Sequence, residues 1–382
     1  MSRLKTLFLV LFVGVLGLIF LPYIVDRQRN KVFKTEFGKT NPTYKEFHEN
    51  LFIVDLHCDQ LLWNRNLLTK ASYGHVDLPR LKEGNVAIEV FSSVTKSPFG
   101  MNLHSNSSFT NSVTLLGILQ GRPFYTWNSL LERSLHQAKL LNEYETLSKG
   151  ELKILKSRED LNIFLANRKK KNVGALLSIE GAHALEGDLS NLDVLFNAGY
   201  RIIGIAHFFD NEFGGSDHGE VKMGLTPLGV ELVKKMNERS MIIDLSHSSD
   251  KVIEDVLNLS TKPVLFTHTG VKGTCDNPRN LTDDQLRKIA EKGGMVGIGF
   301  WKEAICGEDI FSIAKAIGHA IKIMGVDHVA LGSDFDGAVP TVMDSSNLYY
   351  LTESLLKNGL STNQVELVMG KNALRFLQNN LP

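Results

Sequence analysis

The chain has 382 residues, with 42 basic and 42 acidic side chains, 43% hydrophobic and 22% charged residues. This composition describes a packed globular protein rather than a disordered one, and the even charge without long single-sign runs leaves no electrostatic footprint for nucleic acid. The length suffices for two ordinary domains or for one barrel.

The first element is a charge-free run from Leu7 to Val25, LFLVLFVGVLGLIFLPYIV. At roughly 1.5 Å of rise per residue it has about the length that spans a bilayer's hydrocarbon core. It ends in bulky residues instead of a small-residue cleavage site, which favours an uncleaved anchor over a removed signal peptide. Arg3 and Lys5 precede it, and Arg27, Arg29 and Lys31 follow, so charges on the two sides compete over orientation. The expectation is a signal anchor or signal peptide over residues 1–30 that makes the membrane a partner. The protein would then be membrane-anchored or exported, with its body on the extracytoplasmic side. Cys58, Cys275 and Cys306 show no CxxC spacing and define neither a disulfide framework nor a thiolate zinc site.

From residue 45 to 382 no repeat or low-complexity linker divides the chain. Short apolar runs recur instead: IVDLH at 53, NVAIEVF at 85, GALLSI at 174, RIIGIAHF at 201, MIIDLSH at 241, PVLFTH at 263, MVGIGF at 295 and HVALGSD at 328. Rich in Val and Ile and without clean alternation, they suit strands covered on both faces. Amphipathic helices lie between them. PLGVELVKKMNERS places Leu228, Leu232, Val233 and Met236 at helical spacing behind a proline, and LTDDQLRKIAEKGG carries Thr282 as a cap and paired glycines as a stop. Alternating strands and helices call for a parallel sheet, and eight strands make a closed (β/α)8 barrel the first choice, with an open doubly wound sheet second.

Barrel enzymes gather their chemistry at the C-terminal ends of the strands. His57 and Asp59 close the first run, Glu180 the third, His207 the fourth, His247 the fifth, His268 the sixth and Asp334 the eighth. The alternation of a strand would point His57 and Asp59 to the same side. Histidine and carboxylate together suit a divalent metal such as zinc. A packed core has no reason to end six strands in polar groups. By the same positional logic His75, His104, His183, His218, His319 and His328 read as satisfied or solvated histidines. Asp336 competes with Asp334 on spacing alone.

These residues sit in stretches that together resemble the membrane dipeptidase family of metallopeptidases, a branch of the amidohydrolase barrels. The stretches are DLHCDQLLW, DLPRLKEGNV, SIEGAHAL, GLTPLGVELVKKMN, IIDLSHSS, PVLFTHTG, PRNLTDDQL, LGSDFDG and MGKNALRF, in this order over roughly residues 50–377. The resemblance implies two zinc ions per chain: His57, Asp59 and Glu180 hold one, Glu180, His247 and His268 the other, with Glu180 bridging. It implies Asp334 as the group that moves the proton of the attacking water, and His207 as a hydrogen-bond donor to the scissile carbonyl. It further implies Arg279 as the partner of the substrate's terminal carboxylate, a dipeptide substrate and a homodimeric assembly. Cys58 departs from the small polar residue many relatives carry, and the spacing to Trp63 is one residue longer. Phe208, Phe209 and Phe213 follow His207 closely, which is compatible with a preference for apolar side chains. SVTKSPFGMNLHSNSSFT reads as a lid or surface loop. The leading expectation is a zinc-dependent dipeptidase. Its rivals are an amidohydrolase of N-acyl amino acids or another small amide, and a non-catalytic metal-binding interaction protein.

Overall fold

The computed structural model describes residues 20–33, 38, 41–169 and 171–382. Its strands are β1 (Ile53–Cys58), β2 (Val86–Ser93), β3 (Leu152–Ile154), β4 (Val173–Ile179), β5 (Tyr200–Gly204), β6 (Ile242–Asp244), β7 (Leu265–Thr269), β8 (Met295–Ile298) and β9 (Val329–Leu331). All pair in parallel in the order β2-β1-β9-β8-β7-β6-β5-β4-β3, and a further pairing of β2 with β4, Ile88 to Ser93 against Gly174 to Ile179, closes the ring. The result is a closed parallel barrel of eight strands, with β3 appended outside it along β4. Each of the eight apolar runs carries one barrel strand, and every residue of those strands is buried. Helices outside and side chains inside cover both faces, so the runs lack alternation.

The helices form where capping and periodicity place them. Pro227–Glu238 starts at Thr226, whose side chain accepts the Gly229 N–H, and buries Leu232, Val233 and Met236. Asp283–Glu291 starts on a reciprocal box in which Thr282 and Gln285 satisfy each other's backbone N–H groups. A disulfide joins Cys275 to Cys306, tying the loop after β7 to the short helix Lys302–Ile305 after β8. Cys58 is free and buried.

The N-terminal expectations are corrected. No helix among the described residues is long and apolar enough to cross a membrane, so the membrane segment, the membrane as partner, and the anchored or exported, extracytoplasmic placement are not supported. Residues 7–19 of the apolar run lie outside the described residues. Its end, residues 20–25, belongs to a helix that continues to residue 29. The polar residues of that helix explain its position on the barrel. Asp26 and Asn30 are buried, Asp26 accepts a bond from Arg65 at 3.0 Å, and the side-chain Oδ1 of Asn30 accepts the Ala338 N–H at 2.9 Å.

Candidate metal centre

His57 lies on β1, and Asp59 follows the strand's last residue. Asp59 has left the extended region (φ −106°, ψ 27°) at the start of the 3-10 turn Gln60–Leu62. The two therefore meet through a turn rather than through alternation, with Asp59 Oδ1 3.5 Å from His57 Nε2. Glu180 follows β4 and is the hub. Its Oε1 lies 2.9 Å from His247 Nε2, 3.2 Å from His268 Nε2 and 3.9 Å from His57 Nε2, while Oε2 lies 3.1 Å from His207 Nε2. The Nε2 atoms of His247 and His268 are 3.0 Å apart. His268 is inside β7, whereas His247 stands past β6 at φ 62°, a left-handed turn that a strand-based reading does not anticipate.

A second layer aims two of these rings. Thr267 Oγ1 donates its proton to Asp244 Oδ2 at 2.7 Å. It lies 3.1 Å from His57 Nδ1 and 3.0 Å from His268 Nδ1. A hydroxyl has one proton and two lone pairs. With the proton given to Asp244, both lone pairs accept, so both histidines carry hydrogen on Nδ1 and turn a bare Nε2 towards Glu180. Asp244 is held in turn by the Ser246 and Thr267 N–H groups, each at 3.0 Å.

The electrostatics of the cluster favour a cation. Burial, with help from neighbouring carboxylates, pushes the carboxyls of Asp59, Glu180 and Asp334 well above their usual range. Burial also holds His207, His247 and His268 well below theirs, so the imidazoles are neutral, the form that binds metal. His57 Nε2 and Asp59 Oδ1 are buried without a hydrogen-bond partner. Two ligands of one tetrahedral zinc, each about 2.0–2.2 Å from it, stand roughly 3.3 Å apart. The separations around Glu180, 2.9 to 3.9 Å, bracket that figure. His57, Asp59 and Glu180 form one ligand-competent group and Glu180, His207 and His247 another, so two groups share Glu180; His57, His268 and Asp334 form a third. The donors fit a pair of zinc ions bridged by Glu180.

Asp334 stands three residues past β9 at φ 59°. Asp336 turns away from the centre. Its carboxylate accepts the N–H groups of His75 and Val76 at 2.8 and 3.0 Å and pairs with Arg65 at 2.7 Å. Arg279 is buried and held on β7 by bonds to His268 O at 2.6 Å and Thr269 Oγ1 at 3.1 Å, which leaves further N–H groups of the fork free to bind an anion. Asp59, Glu180, His207, His247, His268, Arg279 and Asp334 line one cavity of about 700 Å³. His218, set aside in the sequence as a loop histidine, lines it too. It is fully buried, with Nδ1 on Leu103 O at 3.0 Å and its ring 5.3 Å from that of His247. His75, also set aside, supports the site indirectly by accepting the Asp336 N–H at 2.9 Å. Residue type could have flagged both, but a loop position carries no information about depth.

Known proteins share this arrangement of chain. The family described as membrane dipeptidase, peptidase family M19, matches residues 43–380. A protein from the pqqA 5' region of Klebsiella pneumoniae is 33% identical over 258 residues, 64% of this chain and 94% of its own. The dipeptidase tcpJ of Claviceps purpurea is 29% identical over 81% of this chain and 70% of its own. A metallopeptidase of Rhodobacter sphaeroides, solved with a phosphinate mimic of the dipeptide L-Ala-D-Ala, superposes with a TM-score of 0.72 at 26% identity, over 86% of this chain and 99% of that one. With its barrel, its shared carboxylate and a match over nearly the whole body, the chain belongs to the membrane dipeptidase family and is a metal-dependent hydrolase of the dipeptidase type.

Proposed function

We propose that the protein hydrolyses the peptide bond of dipeptides that carry a free C-terminal carboxylate. The observation that supports this most directly is the meeting, in one cavity, of the Glu180-centred donor cluster, Asp334 and a buried arginine. The Rhodobacter sphaeroides relative, bound to a dipeptide mimic, supports the same substrate class. Zinc ions, when bound, acidify a water and withdraw charge from the scissile carbonyl. His57, Asp59, Glu180, His247 and His268 are the holding residues in this reading.

The remaining roles belong to the chain's own side chains. Asp334 accepts the proton of the attacking water and returns it to the amine nitrogen as the bond breaks. Arg279 offers a planar fork to the terminal carboxylate and so fixes where the amide lies relative to Glu180. His207 donates to the carbonyl oxygen in this scheme, which requires hydrogen on Nε2. In the structure its Nδ1 is 3.2 Å from Lys96 O. A carbonyl only accepts, so that bond puts the hydrogen of the neutral ring on Nδ1 and leaves Nε2 bare beside Glu180, the arrangement of a metal ligand. The His207→Ala variant separates the two: unchanged metal content with reduced kcat supports the donor role, and loss of one metal supports the ligand role.

The decisive assay compares free, C-terminally amidated and N-acetylated dipeptides with zinc supplied. Release of amino acids from the free forms alone is expected. Turnover of blocked forms only would replace the dipeptidase reading by that of an amidohydrolase of N-acyl amino acids.

A further inference from the structure

The helix ending at residue 29 is not a bystander to the site. Leu21, Pro22, Val25 and Arg29 line the same cavity as Glu180, Arg279 and Asp334. Beyond the Ala338 bond, the chain that follows is sewn to the loop after β9: Thr341 N–H donates to Lys31 O at 3.0 Å and Phe33 N–H to Thr341 O at 2.8 Å. Asp26 is gripped by Arg65 on one oxygen and by the Asn30 amide, at 2.8 Å, on the other. Arg65 continues to Asp336, two residues from Asp334. A segment before the barrel is thus fastened to the loops of β1 and β9 by buried polar groups, and such bonds are costly to break.

The ring order sets which part of a substrate this wall meets. In the closed circuit β1-β2-β4-β5-β6-β7-β8-β9, strand β7 lies opposite β2. Arg279 is held on β7. A dipeptide with its carboxylate there and its amide over Glu180 points its amino-side residue across the barrel, to the ends of β2, β1 and β9. Much of that side is apolar: Phe99 and Leu116 from the segment after β2 face the cavity together with Leu21, Pro22 and Val25, with Arg29 and Asp59 the charged groups among them. Resting on the dipeptidase reading above, we infer that the helix of residues 20–29 is a specificity-determining wall that contacts a large apolar side chain on the amino side of the substrate.

The test is a steady-state comparison of the full-length zinc-loaded protein with Val25→Trp and with the double variant Leu21→Ala/Val25→Ala, on Gly-Ala, Phe-Ala and Gly-Phe. The tryptophan is expected to lower kcat/KM for Phe-Ala by about tenfold, the scale of a few methylene contacts in a hydrophobic pocket. Gly-Ala and Gly-Phe should change less than about twofold. The double variant should narrow the Phe-Ala over Gly-Ala preference from the opposite direction, so the question stands even where the tryptophan variant does not fold. Equal losses on all three substrates, or a change that follows the carboxyl-side residue, would overturn the wall. If the unaltered protein cleaves none of the three, the dipeptidase reading fails separately. The wall is then judged by calorimetric binding of phosphinate dipeptide analogues with a methyl or a benzyl group on the amino side: a benzyl preference lost in Val25→Trp supports it, and an unaltered preference overturns it.

Discussion

Glu180 and Val25 face the same cavity, yet they are held in different ways. Glu180 follows a strand whose neighbours on both sides are hydrogen-bonded, and the rings around it are aimed by Thr267 and Asp244. Val25 sits on a helix attached at a few polar points, beside side chains as exposed as Leu21 on the same helix and Phe99 in the loop after β2. The floor is a preorganised donor cluster, in which one misplaced atom spoils the geometry for every other. The walls are apolar and adaptable, and there a lost side chain removes only contact area. The difference predicts steep effects at the floor and graded, substrate-dependent ones at the walls.

The largest effect is expected for Glu180→Gln, which keeps the shape but removes the charge shared by both ligand groups. Metal content measured on the purified protein should collapse, and kcat should fall by about 10³-fold or more. Retention of the full metal content would remove Glu180 from the hub of the floor.

A control for the frame beneath both regions comes from His48, buried in the helix Pro42–Glu49. Its Nδ1 meets Thr352 Oγ1 at 2.8 Å and its Nε2 meets Gly84 O at 3.1 Å. Burial lowers it to about 4, against partial opposition from the Gly84 bond and Glu49. The folded state therefore binds this proton less readily than the unfolded chain, with its ordinary value near 6.5. The stabilisation is complete above pH ~6.5 and is lost progressively as the pH falls to about 4, an amount of about 3 kcal/mol. Urea midpoints measured across that range should fall, and the His48→Gln variant should show a shallower acid limb. An identical limb in the variant would assign the acid sensitivity elsewhere.

Thr267→Val tests whether the floor's precision comes from its second layer. Without the hydroxyl, His57 and His268 lose the acceptor that orients them. Zinc affinity measured by chelator competition should weaken by about 10- to 100-fold, and Thr267→Ser should restore it. At the small end, Phe99→Ala should raise KM only a few-fold, and only for bulky apolar substrates. A uniform loss there would erase the distinction between floor and walls.

The floor was largely legible in the sequence because strands end where apolar runs end. The eight runs mark the eight barrel strands, and Glu180, His247, His268 and Asp334 stand within or just beyond them. What failed was local conformation. His57 and Asp59 meet through a turn, and left-handed backbone at His247 and Asp334 has no glycine to announce it. Strand β3 escaped because three residues with an exposed Lys153 give too short a pattern. The walls were hardly legible. His218 lies in a loop, where depth depends on distant chain, and the polar stretch after β2 conceals the apolar lining supplied by Phe99 and Leu103. At the described end of the N-terminal run only Pro22 is buried and Val25 half-buried, while Phe20, Leu21, Tyr23 and Ile24 stay exposed, so apolar composition alone did not say which side chains the fold would cover.

The buried pair of Asp26 and Asn30 has a practical consequence for anyone shortening the gene. Residue 30 is the obvious place to cut away an apolar head, and a protein beginning there would keep every donor around Glu180 and still load zinc. It would also lose Asp26, one of the two carboxylates that Arg65 grips, and leave one side of the pocket open to water. Substrate rankings from the shortened and the 382-residue chain would then describe two differently shaped enzymes with one and the same metal centre.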